Sequence, residues 1–386
     1  MSDMEIPVGP QHPALKEPES FRFELEGEIV KSVDIRLGYV HRGIERACQD
    51  RTWIQAVYLI ERICGICSHS HTTCFCQAVE DIAGLEVPRR ARYIRSLIGE
   101  MERIHSHLLW LGLAGHEVGF DTLFMYAWRD REVILDALEA ISGNRVNYGM
   151  NTIGGVRRDL SDRDVEELRS AIRILEERAG YYTDIALEES TFRGRLEGVG
   201  KITKQQAIDL GTVGPTARAA GVNVDLRRDD PYAAYGEIPF NVVTAEDGDL
   251  LAAAQVRLGE IRESIRIMKY ILDNLPDGPI AVKAPRRIPP GEACSRYEAP
   301  RGEDIHYVRS SGGDKPDRVK VRAPTLANLN AVAESMKGVR VADIPIIIAG
   351  IDPCFSCTDR LVRLQDRTSG RVEVLRWQDL SRRYRR

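Results

Sequence analysis

The 386-residue sequence lacks an apolar run of the roughly 20 residues that a membrane-spanning helix needs; its most apolar run is only Ile344–Gly350. The N-terminal residues Met1–Glu5 have neither the basic start nor the apolar stretch of a secretory signal. The net charge of −4 also gives no reason to expect a nucleic-acid partner. We therefore expect a cytoplasmic protein that reaches a membrane only through other subunits.

Internal repeats and low-complexity tracts are absent too, and this removes repeat architectures and long disordered segments from consideration. The length exceeds the roughly 250 to 300 residues at which one core stops growing, yet one large domain with embellishments remains compatible with it. We predict a single domain over residues 1–386. Its parts would be an N-terminal strap and β-hairpin (1–47), a helical body (48–360) and a charged tail (361–386).

Hydrophobic periodicity predicts a mainly α protein with small β elements, an α+β fold built on a central bundle of long helices. Residues 7–18 contain four prolines and should be extended without regular structure. An alternating pattern from Phe21 to Ile35 predicts a β-hairpin. Predicted helices span 52–63, 72–84, 89–110, 122–141, 161–190 and 249–274. We expect peripheral short strands within 194–247 and 279–323, and a strand pair around Gly370.

Two C-x-x-C pairs, Cys64 with Cys67 and Cys354 with Cys357, stand near opposite ends of the chain. This spacing lets two thiolates bind one metal ion, and without a secretory signal a metal is favoured over disulfides. A structural zinc ion is one interpretation. A catalytic metal is favoured by the ionisable residues beside each pair and by the long separation. The other four cysteines fit no motif and are expected to be small buried hydrophobic residues: Cys48, Cys74, Cys76 and Cys294.

A family resemblance appears in these residues. Arg62–Cys67 followed by His71, together with Asp352–Cys357, resembles the paired signatures of NiFe hydrogenase large subunits. Five further stretches narrow it: Gly9–Pro13, Leu37–Gly43, Glu102–Leu109, Ser142–Asn147 and Gly154–Asp159. They are similar to the group 4, membrane-bound energy-converting hydrogenases, which share ancestry with the quinone-site 49 kDa subunit of respiratory complex I. The resemblance therefore implies a hydrogenase large-subunit fold.

The resemblance also implies a cofactor, the NiFe(CN)2CO centre. In that family pattern Cys64, Cys67, Cys354 and Cys357 ligate nickel, and Cys67 and Cys357 also bridge to the iron. Soft sulfur ligands suit both metals. Arg301, in Glu298–Gly302, would hang over the centre to polarise H2 or pair with a cyanide.

Proton transfer residues follow from the same resemblance. Asp352 is the carboxylate expected to fix Arg301, Glu17 is the first relay acid, and His71 is expected to donate to a bridging thiolate. A polar path through the helices could be extended by Glu102, His105, His107 and Asp121. Two satisfied buried histidines are an equally good interpretation of that helix.

The sequence departs from the family pattern after the last cysteine. Most NiFe large subunits carry a histidine three positions further on, where it helps to bind magnesium, whereas this chain has Arg360. A magnesium site is therefore in doubt even though Glu45 stands where the family's acidic ligand would be. The complex I subunit lacks the cysteines and has a quinone-contacting histidine where this chain has Lys16. Both differences favour H2 chemistry.

The predicted function is that of the catalytic subunit of a NiFe hydrogenase that reduces protons with ferredoxin electrons, or runs in reverse. Its partners would be a small subunit with a 4Fe–4S cluster, complex I-like hydrophilic subunits and membrane subunits that move H+ or Na+. The complex would lie on the inner face of the cell membrane. The alternatives are a complex I-like module acting on a quinone or sulfur substrate, and a structural zinc protein.

Overall fold

The computed structural model describes residues 4–358, 361–366, 368–376 and 383. An antiparallel sheet opens the chain, with strands β1 (Met4–Val8), β2 (Ser20–Glu26) and β3 (Ile29–Arg36) in that order. Phe21, Phe23 and Leu25 alternate along β2 and are buried, as their spacing predicts. Residues 7–18 are not entirely irregular, because Pro7 and Val8 belong to β1. Pro7 is tolerated there because β1 is an edge strand.

The helices carry most of the regular structure. The first seven are α1 (Ile44–Cys48), α2 (Trp53–Glu61), α3 (Ser68–Ala83), α4 (Arg89–Glu117), α5 (Asp121–Ser142), α6 (Asp162–Glu188) and α7 (Ser190–Leu196). They are followed by α8 (Lys204–Asp209), α9 (Gly214–Ala219), α10 (Leu226–Asp229), α11 (Leu250–Asp273), α12 (Pro324–Ser335), α13 (Ile344–Gly350) and α14 (Phe355–Thr358). A 3-10 turn, Val341–Asp343, precedes α13.

A bundle of α4, α5, α6 and α11 forms the centre and confirms the predicted architecture. Helix α4 packs against both α5 and α11, and α11 packs against α6, so that α4 is buried around most of its circumference. Local signals set the ends. Ser161 and Asp164 form a capping box at the start of α6, and Gly143 ends α5 in the left-handed conformation. No helix in the described part of the chain is long and apolar enough to span a membrane.

A second antiparallel sheet packs on α3 and consists of β6 (Pro290–Ala299), β7 (Gly302–Ser311) and β8 (Arg318–Arg322). The described residues also form two pairs of short strands: β4 (Asn151–Thr152) with β5 (Gly155–Val156), and β9 (Leu361–Gln365) with β10 (Val372–Arg376). The β9–β10 pair flanks Gly370 as predicted.

The prediction of strands in residues 194–247 is wrong, because this fully described stretch contains the short helices α8, α9 and α10. Residues 279–323 do form strands, but β6 and β7 have ten residues each and are not short.

Candidate metal centre

The first cysteine pair lies in the turn between α2 and α3, where Cys67 is the N-cap of α3. The second lies around α14, with Cys354 just before the helix and Cys357 inside it. Asp352 precedes this pair with a positive φ of 56°, an uncommon conformation for a residue with a side chain. The fold therefore presents both pairs from tight turns at the ends of helices.

All four sulfurs converge although 290 residues separate Cys64 from Cys354. The Sγ atoms of these two residues are 3.4 Å apart, and those of Cys354 and Cys357 are 2.8 Å apart. The sulfurs of Cys64, Cys67 and Cys357 lie within 4.8 Å of one another. All four residues are buried and carry free thiols. Their geometry is that of a ligand set gathered around one point.

The electrostatics of the four thiols favour a bound cation. Hydrogen bonds from Cys354 and then Cys357 lower the pKa of Cys64 well below the usual value of a thiol. Burial raises the pKa of Cys357, so that without a cation the sulfurs cannot all be ionised. A soft metal ion would supply the compensating charge. The donor set therefore fits a nickel–iron group held by Cys64, Cys67, Cys354 and Cys357, and it also fits zinc.

Arg42 joins the two motif turns, a role that the sequence did not indicate. Its Nη1 donates to the carbonyl of Arg62 at 2.8 Å and its Nη2 to that of Ile63 at 2.6 Å. The same Nη2 lies 3.2 Å from the carbonyl of Ser356 in α14. One guanidinium thus bridges segments that carry different cysteine pairs.

Arg301 and Asp352 form a buried pair beside the cysteines. Arg301 Nη2 donates to Asp352 Oδ1 at 2.7 Å, and its Nε donates to the Asp352 carbonyl at 2.6 Å. Burial disfavours the guanidinium charge, but Asp352 and then the cysteines more than offset it, so the pKa of Arg301 lies well above its usual value. Asp352 Oδ2 is buried and has no hydrogen-bond partner among the described residues. The structure thus brings together Arg301 and Asp352, the two residues that the sequence analysis paired.

Glu17 caps the helix that carries Cys357. Its Oε2 accepts the backbone N–H of Ser356 at 3.0 Å and that of Phe355, and its Oε1 accepts the Ser356 hydroxyl. A surface pocket formed by residues 10–18 also includes Glu17. This carboxyl therefore lies between the second cysteine motif and a pocket that opens to solvent.

His71 contacts two residues that were not predicted from the sequence. Its Nδ1 lies 2.9 Å from Asp304 Oδ2 and 3.1 Å from His306 Nε2, and all three side chains are buried. Burial disfavours the imidazolium, but the Asp304 carboxylate more than offsets this and raises the pKa of His71. The other ring nitrogen, Nε2, is buried without a hydrogen-bond partner among the residues described. Asp304 and His306 are two residues apart on β7, and this spacing places both side chains on the same face of the strand.

Glu102 approaches the first cysteine pair from α4. Its carboxylate accepts the backbone N–H of His69 at 2.6 Å and both the N–H, at 3.0 Å, and the hydroxyl of Ser70. These donors lie in the first turn of α3, so Glu102 acts as a cap supplied by a neighbouring helix. Burial nevertheless raises the pKa of Glu102 to about 8.

The other residues of the expected polar path do not form one continuous path, because each contacts a different partner. His105 is three residues after Glu102 and is equally buried. Its Nε2 contacts the Tyr148 hydroxyl at 2.7 Å. His107 Nε2 instead pairs with Glu260 at 2.8 Å. Asp121 is largely exposed and contacts His116, so the structure does not bring it into a buried path.

The side chain of Glu45 does not fit a magnesium ligand. Its Oε2 lies 2.9 Å from Lys320 Nζ, and its Oε1 accepts the backbone N–H of Val321 at 3.0 Å. The ammonium group already supplies the positive charge that a cation would bring to this carboxylate. Arg360 lies outside the described residues.

A buried ionic network, also missed, supports the turn that carries Arg301. It comprises Glu100, Arg103, His107, Arg218, Asp225, Arg227, Glu260 and Glu298. Arg103 Nη2 donates to the Glu298 carbonyl at 2.6 Å, and Arg218 Nη1 donates to the Glu298 side chain at 2.8 Å. Buried charges of this kind need such pairing. Two guanidinium groups thus fix the end of β6, and Arg301 lies on the turn that follows this strand.

The remaining cysteines divide into two kinds. Cys48, Cys74 and Cys76 are buried, as expected, and burial raises the pKa of Cys74 well above its usual value. The expectation is wrong for Cys294, which is exposed on β6.

Comparisons with known proteins identify the class. The family described as "Respiratory-chain NADH dehydrogenase, 49 Kd subunit" matches residues 117–290 and 281–360, and the family described as "Nickel-dependent hydrogenase" matches residues 42–112. The chain belongs to this family of complex I 49 kDa and nickel-dependent hydrogenase large subunits, which confirms the resemblance.

Individual relatives agree with the class. The chain is 44% identical to "Membrane-bound hydrogenase subunit alpha" of Pyrococcus furiosus, over 98% of this chain and 91% of that protein. It is 41% identical to "Carbon monoxide-induced hydrogenase" of Rhodospirillum rubrum, over 93% of this chain and 100% of that protein. A chain in the structure of "the membrane-bound sulfane sulfur reductase (MBS), an archaeal respiratory membrane complex" superimposes with a TM-score of 0.88 at 34% identity, covering 93% and 98% of the two chains.

These matches place the chain in an oxidoreductase family whose members include both hydrogenases and complex I-like subunits. The relatives are subunits of membrane-bound complexes that contain several chains.

Proposed function

We propose that the chain is the catalytic subunit of an energy-converting NiFe hydrogenase. The observation that carries this proposal is the convergence of four buried free thiols beside the buried Arg301–Asp352 pair. A structural zinc site would need the sulfurs but would have no use for a buried guanidinium held next to them. The hydrogenase relatives support the same interpretation.

In this function Cys64, Cys67, Cys354 and Cys357 would hold a nickel–iron group. That group would supply the redox chemistry that interconverts H2 with protons and electrons. Arg301 keeps a fixed positive charge in a water-poor site, where it stabilises developing negative charge.

Protons leave or arrive through the chain's own carboxyl groups. Glu17 lies between the second cysteine motif and the pocket of residues 10–18, and it is the acid that we assign to the first transfer. A carboxyl in that position can exchange a proton with solvent on one side and with a cysteine sulfur on the other. Glu102 and His105 are secondary candidates from the first motif's side.

Electrons must come from another chain, since the proposed centre uses all four motif cysteines. We assign that role to a small subunit with a 4Fe–4S cluster that connects to ferredoxin. Further complex I-like hydrophilic subunits and ion-translocating membrane subunits complete the proposed assembly at the inner face of the cell membrane.

Infrared spectroscopy of the purified complex tests the proposal. Bands of metal-bound CO and cyanide are expected, with about one nickel per chain, and Cys357→Ser should abolish both. Cys294→Ser is a matched control, because it removes an exposed cysteine outside the site and should leave the bands intact. A complex without these bands and without nickel would refute the assignment.

A second function is favoured by one observation, the close superposition on a chain of a sulfane sulfur reductase. Under this alternative the chain is a complex I-like module that acts on a sulfur substrate or a quinone without hydrogenase activity. Nickel would then be absent, and reduction of polysulfide or quinone would proceed without H2 evolution. Parallel assays of H2 evolution and of polysulfide reduction on one preparation separate the two functions.

A further inference from the structure

His71, Asp304 and His306 form a second cluster of metal-ligating side chains, and no cysteine takes part in it. His71 lies on α3, and the other two lie on β7 of the sheet that packs on this helix. Their exposed fractions are 1%, 0% and 0%, so solvent cannot screen or hydrogen-bond any of them. We refer to these three residues as the His–Asp–His cluster.

The distances within this cluster do not suit hydrogen bonds alone. His71 Nδ1 to Asp304 Oδ2 is 2.9 Å, His306 Nε2 to the same oxygen is 3.0 Å, and the two nitrogens are 3.1 Å apart. The three atoms therefore form a nearly equilateral triangle, with an angle of about 60° at Asp304 Oδ2 between the two nitrogens. This angle is too small for two N–H donors that each point at a different lone pair of the oxygen. Despite the short contacts, neither oxygen of Asp304 has a hydrogen-bond partner of proper geometry in the described part of the chain.

The same triangle does suit a metal ion. For ligand–metal–ligand angles of 90°, donor atoms about 3.0 Å apart lie about 2.1 Å from the ion, which matches metal–nitrogen and metal–oxygen bond lengths of about 2.0 to 2.2 Å. A tetrahedral arrangement would require bonds of about 1.8 Å, which is too short. Two histidines and one carboxylate on one face of an octahedron are a known ligand set for divalent transition metals.

We propose that His71 Nδ1, Asp304 Oδ2 and His306 Nε2 bind a divalent first-row transition-metal ion, separate from the four-cysteine site. The ion's charge compensates the Asp304 carboxylate in a place that water does not reach. The inference does not depend on nickel occupying the cysteines.

Metal binding at Nδ1 also determines the state of the other nitrogen of His71. A neutral imidazole bound through Nδ1 carries its proton on Nε2 and can only donate there. Nε2 is the atom that has no protein acceptor among the described residues. The ion would therefore act as a positioning element, which holds a hydrogen-bond donor on the helix that follows Cys67.

The test uses the full chain, purified from cells grown with added cobalt, in which all four motif cysteines are replaced by serine to remove the thiolate site. About one cobalt per chain is expected by elemental analysis. Asp304→Asn in this background should reduce the cobalt to near zero. His107→Gln, a change of another buried histidine that also contacts a carboxylate, should leave about one cobalt. Circular dichroism verifies that each variant is folded.

X-ray absorption on the complex with all cysteines intact gives the second measurement, should the serine variant fail to fold. An ion beyond the nickel–iron content, with nitrogen and oxygen ligands and no sulfur, is expected, and Asp304→Asn should remove it. The inference is overturned if no such ion is present, if its ligands include sulfur, or if it persists in Asp304→Asn. Infrared bands from the four-cysteine site are recorded on the same sample, so failure of one site is distinguished from failure of the other.

Discussion

Glu102 should make the chain less stable as the pH rises, and Glu102→Gln should remove this dependence. Burial raises the pKa of this carboxyl from 4.5 to about 8. Between these values the native state keeps a proton that the unfolded state has lost. The stabilisation is complete below pH 4.5 and declines as the pH rises through about 8.

The size of the effect follows from the same interval. At about 1.36 kcal/mol per pH unit, the change from 4.5 to about 8 amounts to about 5 kcal/mol in total. Most of the slope falls between pH 5.5 and 7.5, where the native protein should lose about 2 to 3 kcal/mol more than the variant. Glu102→Gln also replaces one carboxylate oxygen by an NH2 group. The Ser70 N–H or hydroxyl then loses its acceptor, which costs about 1 to 3 kcal/mol at every pH. This cost lowers the stability of the variant by the same amount at every pH, so it does not affect the comparison of the two slopes.

Urea unfolding of the full chain, followed by circular dichroism from pH 5.5 to 7.5, measures both slopes. Glu100→Gln is a matched control, because Glu100 lies on the same helix and is equally buried. Burial would raise the pKa of Glu100, but Arg227 and then Arg103 more than offset it and lower the pKa. This group is ionised in both states across the window, so its variant should keep the native slope. Parallel curves for the native protein and Glu102→Gln would refute the reasoning.

Three further predictions concern the site. Arg301→Lys keeps the charge but loses the two-pronged contact with Asp352, so H2 turnover should fall about 100-fold at unchanged nickel content; equal turnover would contradict it. Glu17→Gln retains an acceptor for the α14 N–H groups but cannot carry a proton, so H2–D+ exchange should slow while the infrared bands persist. Because Lys320 neutralises Glu45, adding magnesium to protein prepared without it should not change activity, and a magnesium requirement would overturn this assignment.

Long helices were predictable because each has enough turns to display a buried stripe. Helix α6 shows the stripe and a capping box at Ser161, so its start was predicted to within one residue. Helix α3 begins four residues earlier than predicted, because its first turn, Ser68–His71, is polar and yet buried. Polar residues there contact Glu102 and other groups from distant parts of the chain, which periodicity does not reveal.

The short helices of residues 204–229 were missed for a different reason. They have too few turns for a periodic pattern, and the surrounding glycine and proline residues suggested irregular structure. One local signal was present: Thr203 and Gln206 form a capping box at the start of α8. Recognising that pair would have identified a helix where strands were expected.

The cysteine ligands were predictable from spacing, whereas their supports were not. Asp304 and His306 stand two apart on a strand, but only the packing of that strand on α3 brings them to His71. Arg42 lies in the family-like stretch Leu37–Gly43, yet its contacts with both cysteine turns depend on the path of the chain in space. One sequence does not report which charged residues are buried.

The placement of Arg301 shows why such charges are buried. Its turn begins the strand at Gly302, whose φ is 122° and whose missing Cβ would lie 2.7 Å from Gly214 N. Gly214 in turn would place a Cβ 2.4 Å from Gly302 Cα, so the two backbones touch directly. Glycines offer no side chain to pack, so apolar packing alone could not set the direction of this turn. Guanidinium groups can, because they form hydrogen bonds in fixed directions. Arg103 and Arg218, by holding Glu298 through its carbonyl and its carboxylate, orient the strand end from which Arg301 projects towards Asp352.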